Sequence, residues 1–193
     1  LKSKFTFIQY FKLSHYLKIN NCNEVENGDT ILIEVMWKNP NHIFRLWLVI
    51  RALKKINLSN IIIITWKESL VVNCMIKWIN NKKIIYIDKN INKKYLALAK
   101  SYLRKVKTHE DFLNIQLPNN FPAYVIYDTV LKKTRNPQPT LSNNEWLLSL
   151  AEFFYLNEQF KNIIVNLKPN KVFVSHSSKT EFCSLIFNSL ENK

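Results

Sequence analysis

The chain has 193 residues, 28 of them lysine or arginine against 14 aspartate or glutamate, so it carries a formal charge of +14; 47% of it is hydrophobic. That is ample for a buried core and too apolar for a disordered tail. A single glycine, Gly28, excludes any glycine-rich phosphate loop. The scattered Cys22, Cys74, Cys183 and His15, His42, His109, His176 exclude zinc-finger, zincin and disulfide frameworks, and no metal site is expected.

The start, Lys2-Ser3-Lys4 followed by Phe5 to Phe11, has the outline of a signal peptide. Lys12 interrupts it and no small-residue cleavage site follows, so no leader is expected. The β-branched run 30–35, entered from Asn27-Gly28-Asp29, predicts a first strand. Residues 41–55 predict a helix with Ile43, Leu46, Val49, Ile50 and Leu53 on one stripe and Arg45, Arg51, Lys54 and Lys55 on the other side. Residues 60–65 predict a second strand whose lack of alternation suits burial on both faces, as a parallel sheet requires. A helix over 67–80 follows, with capping-box spacing from Thr65 to Glu68, then a strand over 83–88 and a helix over 92–107.

Three strand–helix units in succession predict a Rossmann-like open parallel sheet flanked by helices, class α/β. The rhythm breaks over 108–140, where Pro118, Pro122, Pro137 and Pro139 surround the apolar segment 123–131; this is expected to be the irregular part, with Pro122 opening a short helix. A capping-box candidate at 142–145 opens a long helix carrying Trp146, Leu150, Phe153, Phe160, Ile164 and Leu167, stopped by Pro169. A fourth strand over 171–175 and a closing helix capped at 178–181 complete one domain, 1–193. Trp47, Trp78 and Trp146 read as core aromatics, and Cys74 and Cys183 as small core residues. No apolar run approaches the ~18–20 residues of a membrane-spanning helix.

The charge is mostly lysine: 24 against four arginines. Lysine, asparagine and isoleucine together fill 71 of the 193 positions, the bias of an A/T-rich coding sequence. A reader of nucleic acid would favour arginine for bidentate contacts, so nucleic acid is disfavoured as a partner while an anionic membrane surface is not. The helix over 92–107 sharpens the latter: Lys93, Lys94, Lys100, Arg104, Lys105 and Lys107 oppose Tyr95, Leu96, Ala99, Tyr102, Leu103 and Val106. This is a basic amphipathic pattern, found on ordinary surface helices and on helices that dock on anionic lipid.

In an open parallel sheet, ligands bind where strands end and helices begin. Those ends carry Lys38, Asn39, Asn41 and His42 after the first strand, Thr65 and Lys67 after the second, Asp88 after the third, and Ser175, His176, Ser177 and Ser178 after the fourth. His42 and His176 are the residues of this rim whose ordinary pKa suits acid–base work near neutrality. Asp128, among apolar neighbours in sequence, needs a partner or a function.

Three stretches carry a resemblance. They are Glu34-Val35-Met36-Trp37-Lys38-Asn39-Pro40-Asn41-His42 with Arg45 after it, Ala123-Tyr124-Val125-Ile126-Tyr127-Asp128-Thr129 with Leu131 after it, and Val172-Phe173-Val174-Ser175-His176. In order and rough separation they resemble the amino-terminal half of bacterial surface-carbohydrate (capsule or lipopolysaccharide) biosynthesis proteins of the GT-B glycosyltransferase type. The sequence departs from that pattern at Ala123-Tyr124, where the family carries a glycine, and after His176, where the family tends to show a tyrosine and then a glycine.

The resemblance implies the amino-terminal lobe of a two-lobed enzyme of roughly twice this length. This lobe would face an acceptor glycan, lipid-linked in such pathways, and a carboxyl-terminal lobe would hold a nucleotide-sugar donor; no cofactor or metal is implied. His42 would be the base that deprotonates the acceptor hydroxyl. Asn39, Asn41, Asp128, Ser175 and His176 would bind or orient the acceptor, and the location would be cytoplasmic, at the periphery of the inner membrane. The chain alone would not turn over. Two other readings stand beside it: a stand-alone basic α/β module binding nucleic acid or another polyanion, and a doubly wound response or scaffold domain whose fold implies no activity.

Overall fold

A computed structural model describes residues 29–36, 40–55, 59–67, 83–88, 90–174 and 180–191. The expected helix over 67–80, past its first residue, and the expected cap at Ser178 lie outside them. The described residues fall into two compact units. One holds those before residue 90 together with Pro169–Phe173, and the other holds Asn90–Lys168 together with those after Phe173.

The first unit is a four-stranded sheet with a helix: β1 (Asp29–Glu34), α1 (Pro40–Lys55), β2 (Ser59–Trp66), β3 (Ile84–Ile87) and β4 (Lys171–Phe173). Strand order is β3-β2-β1-β4, and all three pairings are parallel. The class is therefore α/β with an all-parallel sheet. The register sets Ile31 beside Ile61, Ile33 beside Ile63 and Phe173, and Ile63 beside Ile84. Ile61 to Ile64 are all buried, as the unbroken isoleucine run requires of a strand covered on both faces. On one face Ile31, Ile33, Val35, Ile61 and Ile63 pack with Leu46, Trp47 and Ile50 of α1. Each such aliphatic side chain contributes about 1.5–3 kcal/mol when fully buried.

Pro40 is the first residue of α1, a position that needs no N–H and suits the ring's fixed φ. At the amino edge of the sheet, the Thr30 amide donates to Asn170 Oδ1 and the Asn170 amide donates to the Thr30 carbonyl, both at 2.8 Å. This reciprocal pair holds β4 in register although only three of its residues pair with β1.

The second unit is helical: α2 (Lys93–Leu103), α3 (His109–Leu113), a 3-10 turn (Pro118–Asn120), α4 (Ala123–Thr134), α5 (Asn144–Leu167) and α6 (Thr180–Glu191). α2, α4 and α6 all pack on α5, whose Trp146, Leu150, Phe153, Leu156 and Phe160 are fully buried. Ring contacts lock the bundle: Phe121 lies 4.4 Å from Phe153, and Phe112 lies 4.6 Å from Trp146. Buried among the helices, the Asn188 amide donates to Asn157 Oδ1 at 2.9 Å and that of Asn119 donates to Asn188 Oδ1 at 2.9 Å. These bonds tie the 3-10 turn, α5 and α6 together.

Three expectations need correction. The segment 108–140 is not irregular: it holds α3, the 3-10 turn and α4. The prolines punctuate these pieces rather than prevent them. Thr108 forms a capping box with Asp111 at the start of α3, and Pro122 stands just ahead of α4. The long helix is capped by Asn143, whose side chain accepts from the Glu145 amide at 2.9 Å; Ser142 bonds the Thr140 hydroxyl instead. The basic helix ends at Leu103, with Arg104 as its carboxyl cap, four residues short of the expected 107.

Turn chemistry reflects the scarcity of glycine. Among the described residues, four other than glycine adopt positive φ: Asn119, Asn120, Arg135 and Lys168. Arg135 closes α4 and Lys168 closes α5 in the left-handed conformation that glycine fills most readily.

Candidate functional site

Parallel pairing aligns the carboxyl ends of β1, β2, β3 and β4 along one edge of the first unit. The order β3-β2-β1-β4 also makes a switch point: β2 and β3 extend the sheet from one side of β1, and the chain then returns to place β4 on the other. In open α/β sheets the crevice at such a point, between the carboxyl ends of the two strands, is where ligands bind. Here the strands are β1 and β4, with Leu32 paired to Val172 and Ile33 to Phe173.

The backbone that leaves β1 at this edge is held by two side-chain bonds. The Thr65 hydroxyl, fully buried in β2, donates to the Val35 carbonyl at 2.8 Å. Glu34, the last residue of β1 and also fully buried, accepts a hydrogen bond from the Met36 amide on its Oε1. A buried carboxylate is costly to keep charged unless its oxygens are bonded, so Glu34 is an unusual residue to place there. The ladder itself continues to the edge: the Val35 amide donates to the Ile64 carbonyl at 2.9 Å and the Lys67 amide to the Ile87 carbonyl at 3.0 Å. Beyond it Lys67 Nζ and Asp88 Oδ1 form an ion pair at 3.4 Å across the ends of β2 and β3. Both side chains are more than half exposed, which makes the pair worth little energetically. It does place Lys67 and Asp88 on the expected rim.

α1 begins a few residues past this edge and carries no acidic residue in its first turn. The positive end of its dipole is therefore not offset from within that turn, a setting that favours an anionic ligand. His42 and Asn41 belong to this first turn by backbone position. Their side chains, and all of Asn39, Ser175 and His176, lie outside the described residues.

Asp128 belongs to the helical unit. It lies on α4, in an ion pair with Lys132 one turn on, its side chain 41% exposed. In a helix it shares a stripe with Tyr124 and Lys132 and points away from buried Ile126 and Val130, so these apolar sequence neighbours are not its surroundings. Lys132 is the partner that the sequence demanded.

Nothing in the sequence singles out Glu34 or the Thr65–Val35 bond. A glutamate ending a strand reads as a solvent-facing residue, and only the register, which seats it beside Ile64, shows it to be interior. Among the described residues no group of three or more histidine, cysteine, aspartate and glutamate side chains has the geometry to hold a metal ion. Nor is any described helix long and apolar enough to cross a membrane. Comparisons with protein families, curated proteins and solved structures found no match to the chain.

Proposed function

We propose that the chain is the acceptor-binding, Rossmann-like amino-terminal lobe of a GT-B-type glycosyltransferase of surface-polysaccharide synthesis. The observation that carries the reading is the pairing of β1 with β4. The first and third stretches of resemblance begin about 140 residues apart in the chain, yet the strands from which they lead, β1 and β4, are neighbours running in one direction, paired through Ile31 to Ile33 just ahead of Glu34. Both lead off the same edge, the first into Asn39, Asn41 and His42 and the third into Ser175 and His176.

On this reading His42, in the first turn of α1, takes the proton from the acceptor hydroxyl as that oxygen attacks the anomeric carbon of the donor sugar. The nucleoside diphosphate departs with the bonding electron pair. Asn39, Asn41, Ser175 and His176 hold the acceptor hydroxyls. Glu34 and Thr65 act at one remove by fixing the backbone that leads to the loop. The donor nucleotide sugar is a substrate of the second lobe, and the reaction asks for no metal from this one.

The test is transfer itself. Membranes from source cells deleted for the gene, supplied with a pool of radiolabelled nucleotide sugars, should fail to build labelled polysaccharide, and the purified full-length protein should restore it. Unaltered labelling in the deletion strain would overturn the proposal. A coding sequence that continues past Lys193 into a second strand–helix series would agree with it.

A further inference from the structure

We infer that the outer face of α2 is a docking surface for an anionic lipid bilayer. This helix turns Tyr95 and Ala99 inward, with the Tyr95 ring 5.4 Å from Tyr155 and the Tyr102 ring 5.0 Å from Phe154 on α5. At 3.6 residues per turn, the opposite side carries Lys93, Ala97, Lys100 and Arg104, all exposed. The turn that follows adds exposed Lys105 and Lys107. Residues 93–107 thus hold five lysines, one arginine and no acidic residue.

Among the described residues Lys94 is the one of these cations that forms an ion pair, and Lys107 acts on the Asp111 carboxylate through its amide and its charge. Lys94 Nζ lies 2.7 Å from Glu158 Oε2, and this bond raises the lysine pKa. Among the described residues Lys93, Lys100, Arg104, Lys105 and Lys107 form no ion pair.

Helix energetics explain part of the cluster and leave the rest. Lys100, Arg104 and Lys105 near the carboxyl end complement the helix dipole. Lys93 does the opposite: it is the first residue of α2, at the positive end, in a first turn with no acidic residue. Its charge works against the helix, so helix energetics do not account for it. The composition favours lipid over nucleic acid, because lysine is a hydrated point charge suited to a diffuse anionic surface and arginine is the residue of bidentate recognition. This surface stands whether or not the chain belongs to a glycosyltransferase.

The test is sedimentation of the full chain with vesicles of equimolar phosphatidylglycerol and phosphatidylcholine, at low and at physiological salt. The wild type should bind these vesicles, release them as salt rises, and ignore pure phosphatidylcholine. Reversing three charges by Lys93→Glu, Lys100→Glu and Arg104→Glu should lower partition by about 100-fold or more. A charge-matched control elsewhere on the same unit, Arg135→Glu, Lys161→Glu and Lys168→Glu, should lower it far less. Lys93→Glu alone keeps the test sound should the triple variant unfold, since it relieves the helix end; it should weaken binding with thermal stability unchanged or raised. Equal loss in the control, no binding to anionic vesicles at low salt, or α2-dependent binding to duplex DNA or RNA in place of vesicles would each overturn the inference.

Discussion

The Thr65 hydroxyl reaches from β2 to the Val35 carbonyl at 2.8 Å, one residue past the end of β1, and both residues are fully buried. It is the bond by which one strand sets where its neighbour's chain leaves the sheet. Thr65→Val keeps the shape and strand preference but leaves the carbonyl without that donor. Unfolding in urea should show a loss of about 1–3 kcal/mol, with Thr65→Ser much closer to wild type. An unchanged midpoint for the valine variant would mean that the bond does not matter.

Lys168 closes α5 at φ 44°, ψ 56°, a conformation that suits glycine. Its amide still donates to the Ile164 carbonyl at 2.8 Å, so the closure itself is sound and only the side chain is misplaced. Lys168→Gly should stabilise the chain by about 0.5–1 kcal/mol, the relief at the left-handed position outweighing the added entropy of the unfolded state. Thermal melts of the two proteins check this, and a lower melting temperature for the glycine variant would contradict it.

Asp111 caps α3 by accepting from the amides of Lys107 at 2.9 Å and Thr108 at 2.8 Å. These backbone bonds, the first cause of the shift, hold its carboxyl below the ordinary carboxylate range. The folded chain therefore releases this proton more readily than the unfolded one. The stabilisation is present above the ordinary carboxylate pKa and disappears as pH falls through the lowered value. Carbon-detected NMR titration should show Asp111 as a low-titrating carboxylate, and Asp111→Asn should flatten the acid arm of the stability curve. A titration at the ordinary carboxylate position would contradict the cap.

Cys183 is buried on α6, and desolvation pushes its thiol up to about 11. In a chain with Cys22→Ser and Cys74→Ser, a thiol reagent at pH 8 should leave folded Cys183 unmodified and label it at once in denaturant. Because the folded pKa is raised, stability should fall as pH climbs from the ordinary thiol value towards the raised one, and Cys183→Ala should remove that alkaline loss. Rapid labelling of the folded protein would contradict the burial.

Much of the sheet was legible because isoleucine leaves few alternatives. The run Ile61 to Ile64 suits a strand covered on both faces, as in the interior of a parallel sheet, and that is where it lies. Helix starts were harder to place, because Ser142 and Asn143 are equally competent caps and only coordinates show which one reaches the Glu145 amide. The prolines at 118 and 122 suggested irregular chain because a linear reading treats them as breakers, when each stands at the head of a helical piece. Asp128 illustrates the same limit: proximity in sequence to Val125, Ile126 and Val130 says nothing of the helical face it occupies. At the candidate site, the common rim followed from parallel strands. The buried Glu34 did not, since its interior position depends on a register that no spacing reveals.

The reading turns on whether the loop leaving β1 does chemistry at the carboxyl edge, and His42 is where that is measured most directly. Full-length His42→Ala, shown by circular dichroism and melting temperature to be folded, should be assayed for sugar transfer beside the wild type. Loss of a general base costs typically about 100-fold to 10,000-fold in rate, so transfer should fall by that factor while stability stays near the parent. A folded His42→Ala protein that transfers sugar at the wild-type rate would contradict the account.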